Sequence, residues 1–225
     1  MRVIEAFRSI QGEGTRTGEP CAFVRLAGCN LRCAWCDTPH ALEDGTETDV
    51  DALVARVAAM RTRLVCVTGG EPLLQPDTPA LVARLLDAGH DVQVMTNGSL
   101  PLSALDPRAA RVVDVKSPWS GDEAVPAGHP LPPLPPAGLD PANLDALGPR
   151  DEVKFVLASR EDYEWSRDVL RKYNLAARCH AVLFSPVFGA IDPKDIVAWL
   201  LEDRLEVRFQ LQMHKFIWPP GQKGV

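Results

Sequence analysis

Cys29, Cys33 and Cys36 fall within eight residues of one another, in the run Gly-Cys-Asn-Leu-Arg-Cys-Ala-Trp-Cys-Asp-Thr. Thiolates prefer soft metals, chiefly zinc and iron–sulfur clusters. A four-iron cluster held by three cysteines keeps one iron without a protein ligand, and that iron can take a substrate or cofactor directly. The spacing CxxxCxxC differs from the paired CxxC motifs of closed zinc sites. Spacing leaves a second reading open, because His40 lies four residues after Cys36 and could complete a small tetrahedral zinc site with no chemistry. Cys21, Cys66 and Cys179 are scattered in apolar, strand-like surroundings, where a free thiol behaves as a small hydrophobe. A disulfide framework is not expected from so long a chain with clustered cysteines and no secretory leader.

Further polar residues follow short apolar runs. Gly69, Gly70, Glu71 and Pro72 come after one such run, Thr96-Asn97-Gly98 after another, and Lys116-Ser117-Pro118 after a third. Ser185-Pro186 and then Gln212, His214 and Lys215 repeat the pattern near the end. In parallel βα folds ligands collect at the carboxyl ends of the strands, although Gly, Pro, Ser and Asn also build ordinary turns. Gly69 and Gly70 allow close backbone approach to a ligand, and Glu71 offers a carboxylate to a cationic group; a plain strand-to-helix turn stopped by Pro72 is the alternative. Gln11-Gly12-Glu13-Gly14 reads as a turn carrying an amide and a carboxylate, or simply as a surface turn. Arg25 on the next strand can fork onto a carboxylate.

The elements that must position these residues alternate. Apolar, β-branched runs at 21–27, 64–68, 91–96, 112–116, 151–157, 181–184 and 206–211 read as strands. Helices are expected at 50–60, with Leu53, Val54, Val57 and Met60 on one face, and at 78–88, with Leu81, Val82, Leu85 and Leu86. Two more are expected at 161–173 and 193–202, the last opened by the Asp192-Pro193 pair. The pattern is α/β with a mostly parallel sheet. At 225 residues the chain falls short of the ~250 typical of a closed eightfold barrel, so a partial, open TIM-like barrel is expected. Residues 118–149 are rich in proline, glycine and alanine and read as an insertion within a single domain 1–225, with 130–141 an extended loop.

Composition narrows the partners. With 46% hydrophobic and 24% charged residues the chain is an ordinary globular one. Its net charge of −6 and the lack of a basic run exclude general attraction to nucleic acid. No apolar run approaches the ~20 residues of a membrane span, and Met-Arg-Val-Ile-Glu-Ala-Phe-Arg is no signal peptide. A cytoplasmic protein acting on a small molecule is the expectation.

CxxxCxxC followed by the Gly-Gly-Glu-Pro turn resembles the radical S-adenosylmethionine superfamily, in which the open iron of a [4Fe-4S] cluster chelates the cofactor's methionine end. Ile10-Gln11-Gly12-Glu13-Gly14, Arg25, Ala27-Gly28-Cys29-Asn30-Leu31, Cys36-Asp37-Thr38 and Gln212-Met213-His214-Lys215 are similar, more narrowly, to the 7-carboxy-7-deazaguanine synthase family of 7-deazapurine biosynthesis. The resemblance implies a partial barrel, a homodimer, a flavodoxin- or ferredoxin-type electron donor, and rearrangement of 6-carboxy-5,6,7,8-tetrahydropterin with loss of ammonia. It implies that Cys29, Cys33 and Cys36 hold the cluster and that Thr38 contacts Mg²⁺. Ile10, Gln11, Gly12, Glu13, Arg25, Thr68 and His214 would line the substrate. Trp35, Cys36, Asp37, Gly70, Glu71, Lys116, Ser117, Pro118, Ser185, Pro186, Val187 and Phe188 would hold S-adenosylmethionine, and His40 becomes a bystander. The chain departs from many members in carrying Met95 before Thr-Asn-Gly, and from some in carrying Trp119 after Ser117-Pro118 and in running on past Lys215. A glycyl-radical-enzyme activase shares CxxxCxxC, but the Gln-Gly-Glu-Gly turn, Cys-Asp-Thr and the His-Lys pair argue against it; a zinc-stabilised binding module is the non-enzymatic alternative.

Overall fold

The computed structural model describes residues 1–121, 140–219 and 221–225. Among the described residues nine strands form one sheet: β1 (Arg2–Ile10), β2 (Pro20–Leu26), β3 (Thr46–Glu47), β4 (Leu64–Gly69), β5 (Asp91–Thr96), β6 (Ala110–Val115), β7 (Glu152–Leu157), β8 (Ala181–Pro186) and β9 (Arg208–Phe209). Their order is β3-β1-β2-β4-β5-β6-β7-β8-β9, and the two edges do not meet. From β2 through β4 to β9 every pairing is parallel, while β1 runs antiparallel to both β2 and β3. This is an open, TIM-like partial barrel.

The helices are α1 (Val50–Ala59), α2 (Thr78–Asp87), α3 (Pro141–Ala146), α4 (Arg160–Lys172), α5 (Leu175–Arg178), α6 (Pro193–Glu202) and α7 (His214–Ile217). Three of the longer ones start at side-chain caps: for α1, Asp49 takes the Asp51 amide at 2.8 Å, for α4, Ser159 that of Asp162 at 3.1 Å, and for α6, Asp192 that of Lys194 at 2.9 Å. Each satisfies a backbone donor that the helix itself leaves open.

Strand alternation sorts the side chains. Val113, Val115, Val153, Phe155 and Leu157 face outward and pack with Tyr163, Trp165 and Val169 of α4 and Ile196 of α6. On the other half, Val65, Val67, Val92 and Val94 pack with Leu53 and Val57 of α1 and Leu81 and Leu85 of α2. Between those apolar residues, Gln93, Asp114, Glu152 and Lys154 fall on the inner face, as the period of two requires. The apolar layers therefore lie outside the sheet and leave its concave side to polar groups, with Cys21, Phe23, Leu64 and Cys66 as a small apolar patch there.

The expected strands and helices are present within a residue or two, except that the run at 206–211 pairs only over β9. Residues 2–10 form a full strand that sequence periodicity did not mark. Of the expected insertion at 118–149, residues 140–149 carry α3, whose Asn143 amide donates to the carbonyls of Gly98 and Leu100 at 2.8 Å, so this part belongs to the scaffold. Most of the expected loop at 130–141 lies outside the described residues.

Candidate active site

The carboxyl ends of the parallel strands open into a cavity of about 390 Å³, within the range usual for small-molecule sites. Cys29, Cys33 and Cys36 all reach its wall, and none is disulfide-bonded. The loop that carries them is held by its backbone: Gly28 N donates to Ala41 O at 2.7 Å, Ala34 N to Ser120 O at 2.8 Å and Cys36 N to Cys33 O at 3.2 Å. Leu31 N points at Cys29 Sγ, 3.4 Å away, the contact a thiolate would accept. His40 turns away from the cysteines to Glu5, 3.5 Å from its carboxylate, so the histidine that spacing offered as a fourth zinc ligand is engaged elsewhere.

Gly69 and Gly70, both on the wall, also have a packing use. A β-carbon on Gly69 would meet the Leu26 backbone at 2.8 Å, and φ there is +153°. One on Gly70 would collide with Gly28 O and lie 2.6 Å from Cys29 Cβ. The turn lacks side chains because the cysteine loop packs directly on it, with Glu71 N bonded to Gly28 O at 2.8 Å. The Glu71 side chain is a correction to the sequence reading. It is wholly buried off the cavity and accepts from Leu73 N at 3.0 Å, Thr96 Oγ1 at 2.8 Å and Asn97 N at 2.7 Å. Burial pushes its carboxyl above the usual range against those bonds. It ties two strand tips together and is not placed to grip a ligand.

The Gln11–Gly14 turn comes from the opposite side. It begins a loop anchored at the starts of strands: Thr15 N donates to Glu152 at 3.0 Å and Arg16 bonds Asp91 at 3.2 Å. Gln210, after β9, exchanges two hydrogen bonds with the Gly14 backbone, at 2.7 and 2.8 Å. The loop thus plugs the amino end of the barrel and lifts Ile10, Gln11, Gly12 and Glu13 into the cavity. Gly12 is required there, since a β-carbon would strike the His214 ring.

Thr68, Arg25 and His214 share the same wall. Arg25 is fixed through Nε to Glu5 at 2.7 Å, which leaves its two terminal nitrogens without a hydrogen-bond partner among the described residues. Phe7 and Phe23 stack with centroids 5.1 Å apart beside Met95, giving the cavity an apolar, planar side. Glu13, Asp37 and His214 bring their donor atoms within 4.8 Å of one another. Burial works against both carboxylates, but Lys154 beside Glu13 and Lys215 beside Asp37 hold each below the usual range. Burial likewise lowers the His214 imidazole, against the pull of Glu13 and Asp37.

Of the remaining expected residues, Trp35, Asp37, Thr38, Gly70, Lys116, Val187 and Phe188 are on the wall, whereas Ser117, Pro118, Ser185 and Pro186 are not. Ser185 is fully buried, and its hydroxyl has no partner among the described residues. Glu5, Phe7 and Phe23 on the wall escaped the sequence reading, and so did two charged strand residues, Asp114 and Lys154. Asp114 and Lys154 are each a charge between apolar strand neighbours, and that alternation was the available signal. Beyond Lys215, Trp218, Pro219 and residues 221–225 also lie along the wall, with Lys223 Nζ 3.8 Å from Glu43.

Comparison with known proteins adds to this geometry. Residues 24–115 match the model of the radical SAM superfamily. The chain is 41% identical to a 7-carboxy-7-deazaguanine synthase of Koribacter versatilis over the whole of both chains. It is also 41% identical to that of Chlorobaculum tepidum, over all of this chain and 97% of the relative. Among solved structures, QueE from Escherichia coli superposes with a TM-score of 0.70 at 23% identity, covering 95% of this chain and 94% of that one.

Proposed function

Since the chain belongs to the 7-carboxy-7-deazaguanine synthase family of radical S-adenosylmethionine proteins, we propose that its cavity converts 6-carboxy-5,6,7,8-tetrahydropterin to 7-carboxy-7-deazaguanine and ammonia, a carbon–nitrogen lyase reaction. The observation that carries this reading is the joining, in one cavity, of three free thiols at the strand tips with a fixed polar set raised from the barrel's other end. Product and ammonia together contain the atoms of the substrate, so no net oxidation is required.

Cys29, Cys33 and Cys36 would hold a [4Fe-4S] cluster, and the three unpaired thiols on a shared wall suit its soft ligand demand. When bound, the cluster and S-adenosylmethionine supply the single electron and the hydrogen-abstracting group. Gly70, Lys116, Val187 and Phe188 would border that cofactor. Arg25, through its free terminal nitrogens, would take the pterin carboxylate. Gln11, Glu13, Thr68 and His214 would meet the ring's polar edge, while Phe7 and Phe23 exclude water from its face.

Thr38 would ligate Mg²⁺ through its hydroxyl, a hard oxygen donor on the same cavity wall as Asp37. A flavodoxin- or ferredoxin-type protein in the cytoplasm would deliver the electron. Exposed Leu211, Phe216 and Ile217 beside the β9 edge favour a homodimer. The test is incubation of reduced, anaerobically reconstituted protein with the carboxy-tetrahydropterin. The deazapurine, identified by mass, is the expected product; a cluster-loaded protein that cleaves S-adenosylmethionine yet never forms it overturns the assignment.

A further inference from the structure

The inner face of the sheet carries a ladder of alternating charges that the contacts above do not explain. Lys154 Nζ lies 2.5 Å from Glu13 Oε2 and 2.9 Å from Asp114 Oδ2, and the same Asp114 oxygen is 2.9 Å from Lys116 Nζ. Lys154 is only 5% exposed. The other oxygen of Glu13 accepts from Gln212 Nε2, so both ends of that carboxylate are held. Glu13 itself stands in a loop between two glycines, where no helix or ladder fixes its side chain.

We propose that Lys154 is a positioning residue, which fixes the Glu13 carboxylate at the substrate end of the cavity before substrate arrives. The proposal rests on the reading of Glu13 as a substrate contact. Three features of the geometry favour this over an ion pair kept for stability. Buried ion pairs contribute little to stability relative to apolar residues of the same size, and the outer neighbours Val153 and Phe155 are apolar. Lys154 crosses 141 residues of sequence to reach the one acidic side chain of the Gln-Gly-Glu-Gly turn. Asp114 and Lys116 then brace it from the adjacent strand, so that the ladder Glu13, Lys154, Asp114, Lys116 is neutral overall. A group held in this way meets its ligand without an ordering cost at the moment of binding.

The experiment compares wild-type protein, Lys154→Met, Lys154→Arg, Glu13→Gln and the double variant Glu13→Gln/Lys154→Met. The readouts are substrate dissociation constant by calorimetry, S-adenosylmethionine affinity, and 5′-deoxyadenosine released per product. Lys154→Met is expected to weaken substrate binding by about thirtyfold or more, the scale for breaking a buried charge pair. S-adenosylmethionine affinity is expected to stay unchanged, uncoupled 5′-deoxyadenosine to rise, and Lys154→Arg to recover most of the loss. Because Lys154 acts through Glu13, the double variant should bind no worse than Glu13→Gln alone. It also removes both charges together, and so serves if Lys154→Met alone does not fold. Losses that multiply in the double variant, or a Lys154→Met protein with wild-type substrate affinity, overturn the proposal. Failure of the wild-type protein to bind the pterin overturns the substrate reading and the proposal with it.

Discussion

Gly70→Ala separates the packing role of the Gly-Gly turn from any role in ligand contact. A methyl group at position 70 would lie 2.6 Å from Cys29 Cβ and 2.7 Å from Gly28 C, with Gly28 O closer still. Carbon atoms settle at ~3.5–4.0 Å, so the cysteine loop must retreat by roughly 1 Å. Overpacking of this kind costs about 1–3 kcal/mol, and in a chain of this size each kcal/mol lowers Tm by roughly 2–4 °C. The useful comparison is Gly89→Ala, in the turn after α2. There φ is +89° and nothing lies within 4 Å of the new β-carbon, so the change adds only a backbone strain of about 1–2 kcal/mol. The two variants should therefore lose similar stability but differ in metal content. Anaerobic reconstitution followed by iron and sulfide analysis, with the visible absorption of the cluster, should show a marked loss for Gly70→Ala and none for Gly89→Ala. Wild-type iron content in Gly70→Ala, or equal loss in both, would refute the claim that this turn sets the position of Cys29.

Cys33→Ala should lose bound iron and turnover together, which iron analysis and product formation on the same sample would check. Glu71→Gln should lower the denaturant midpoint by an amount equivalent to about 1–3 kcal/mol, since three donors then face an amide; S-adenosylmethionine cleavage by the folded fraction should persist. Asp114 gives a pH signature. Burial works to raise its carboxyl, but Lys116 and Lys154 together hold it below the usual range. A lowered folded value means that its contribution is complete above the unfolded carboxyl value of about 3.9 and disappears as pH falls through the folded value. Urea midpoints from neutral pH downward should show Asp114→Asn less stable than wild type at pH 7, with the gap closing in acid; a constant gap would contradict the assignment.

Much of this fold was legible because its parallel strands are short apolar runs bounded by glycine, proline and asparagine, and its helices carry clean apolar faces such as Leu81, Val82 and Leu85. The first strand was not, since Arg2, Glu5 and Arg8 interrupt its alternation, and its pairing partners are set by the tertiary fold. The cysteine loop and the residues similar to the family motifs were readable as a site. One side-chain role was misplaced: Glu71 looked like a ligand contact from its position after a strand, but the space beside its carboxylate is filled by the donors of Leu73, Thr96 and Asn97. Lys154 and Asp114 were overlooked because a charge inside an apolar strand acquires meaning only when the strand is known to line a hollow.

The loop from Gln11 to Gly14 has a consequence for how the molecule is made. Its anchors, Gln210 and Gln212, lie 196 and 199 residues away from Gly14 and Glu13. Such contacts close a loop of nearly the whole chain, and topologies dominated by distant pairings fold slowly because the closure entropy comes before the contacts that offset it. During synthesis β2 and then β4 to β8 can pair in order as they emerge, but Glu13 has no Gln212 until residue 212 has been made. The cysteine loop and its glycine support can therefore assemble first, and the part of the cavity wall that carries Glu13 is completed last.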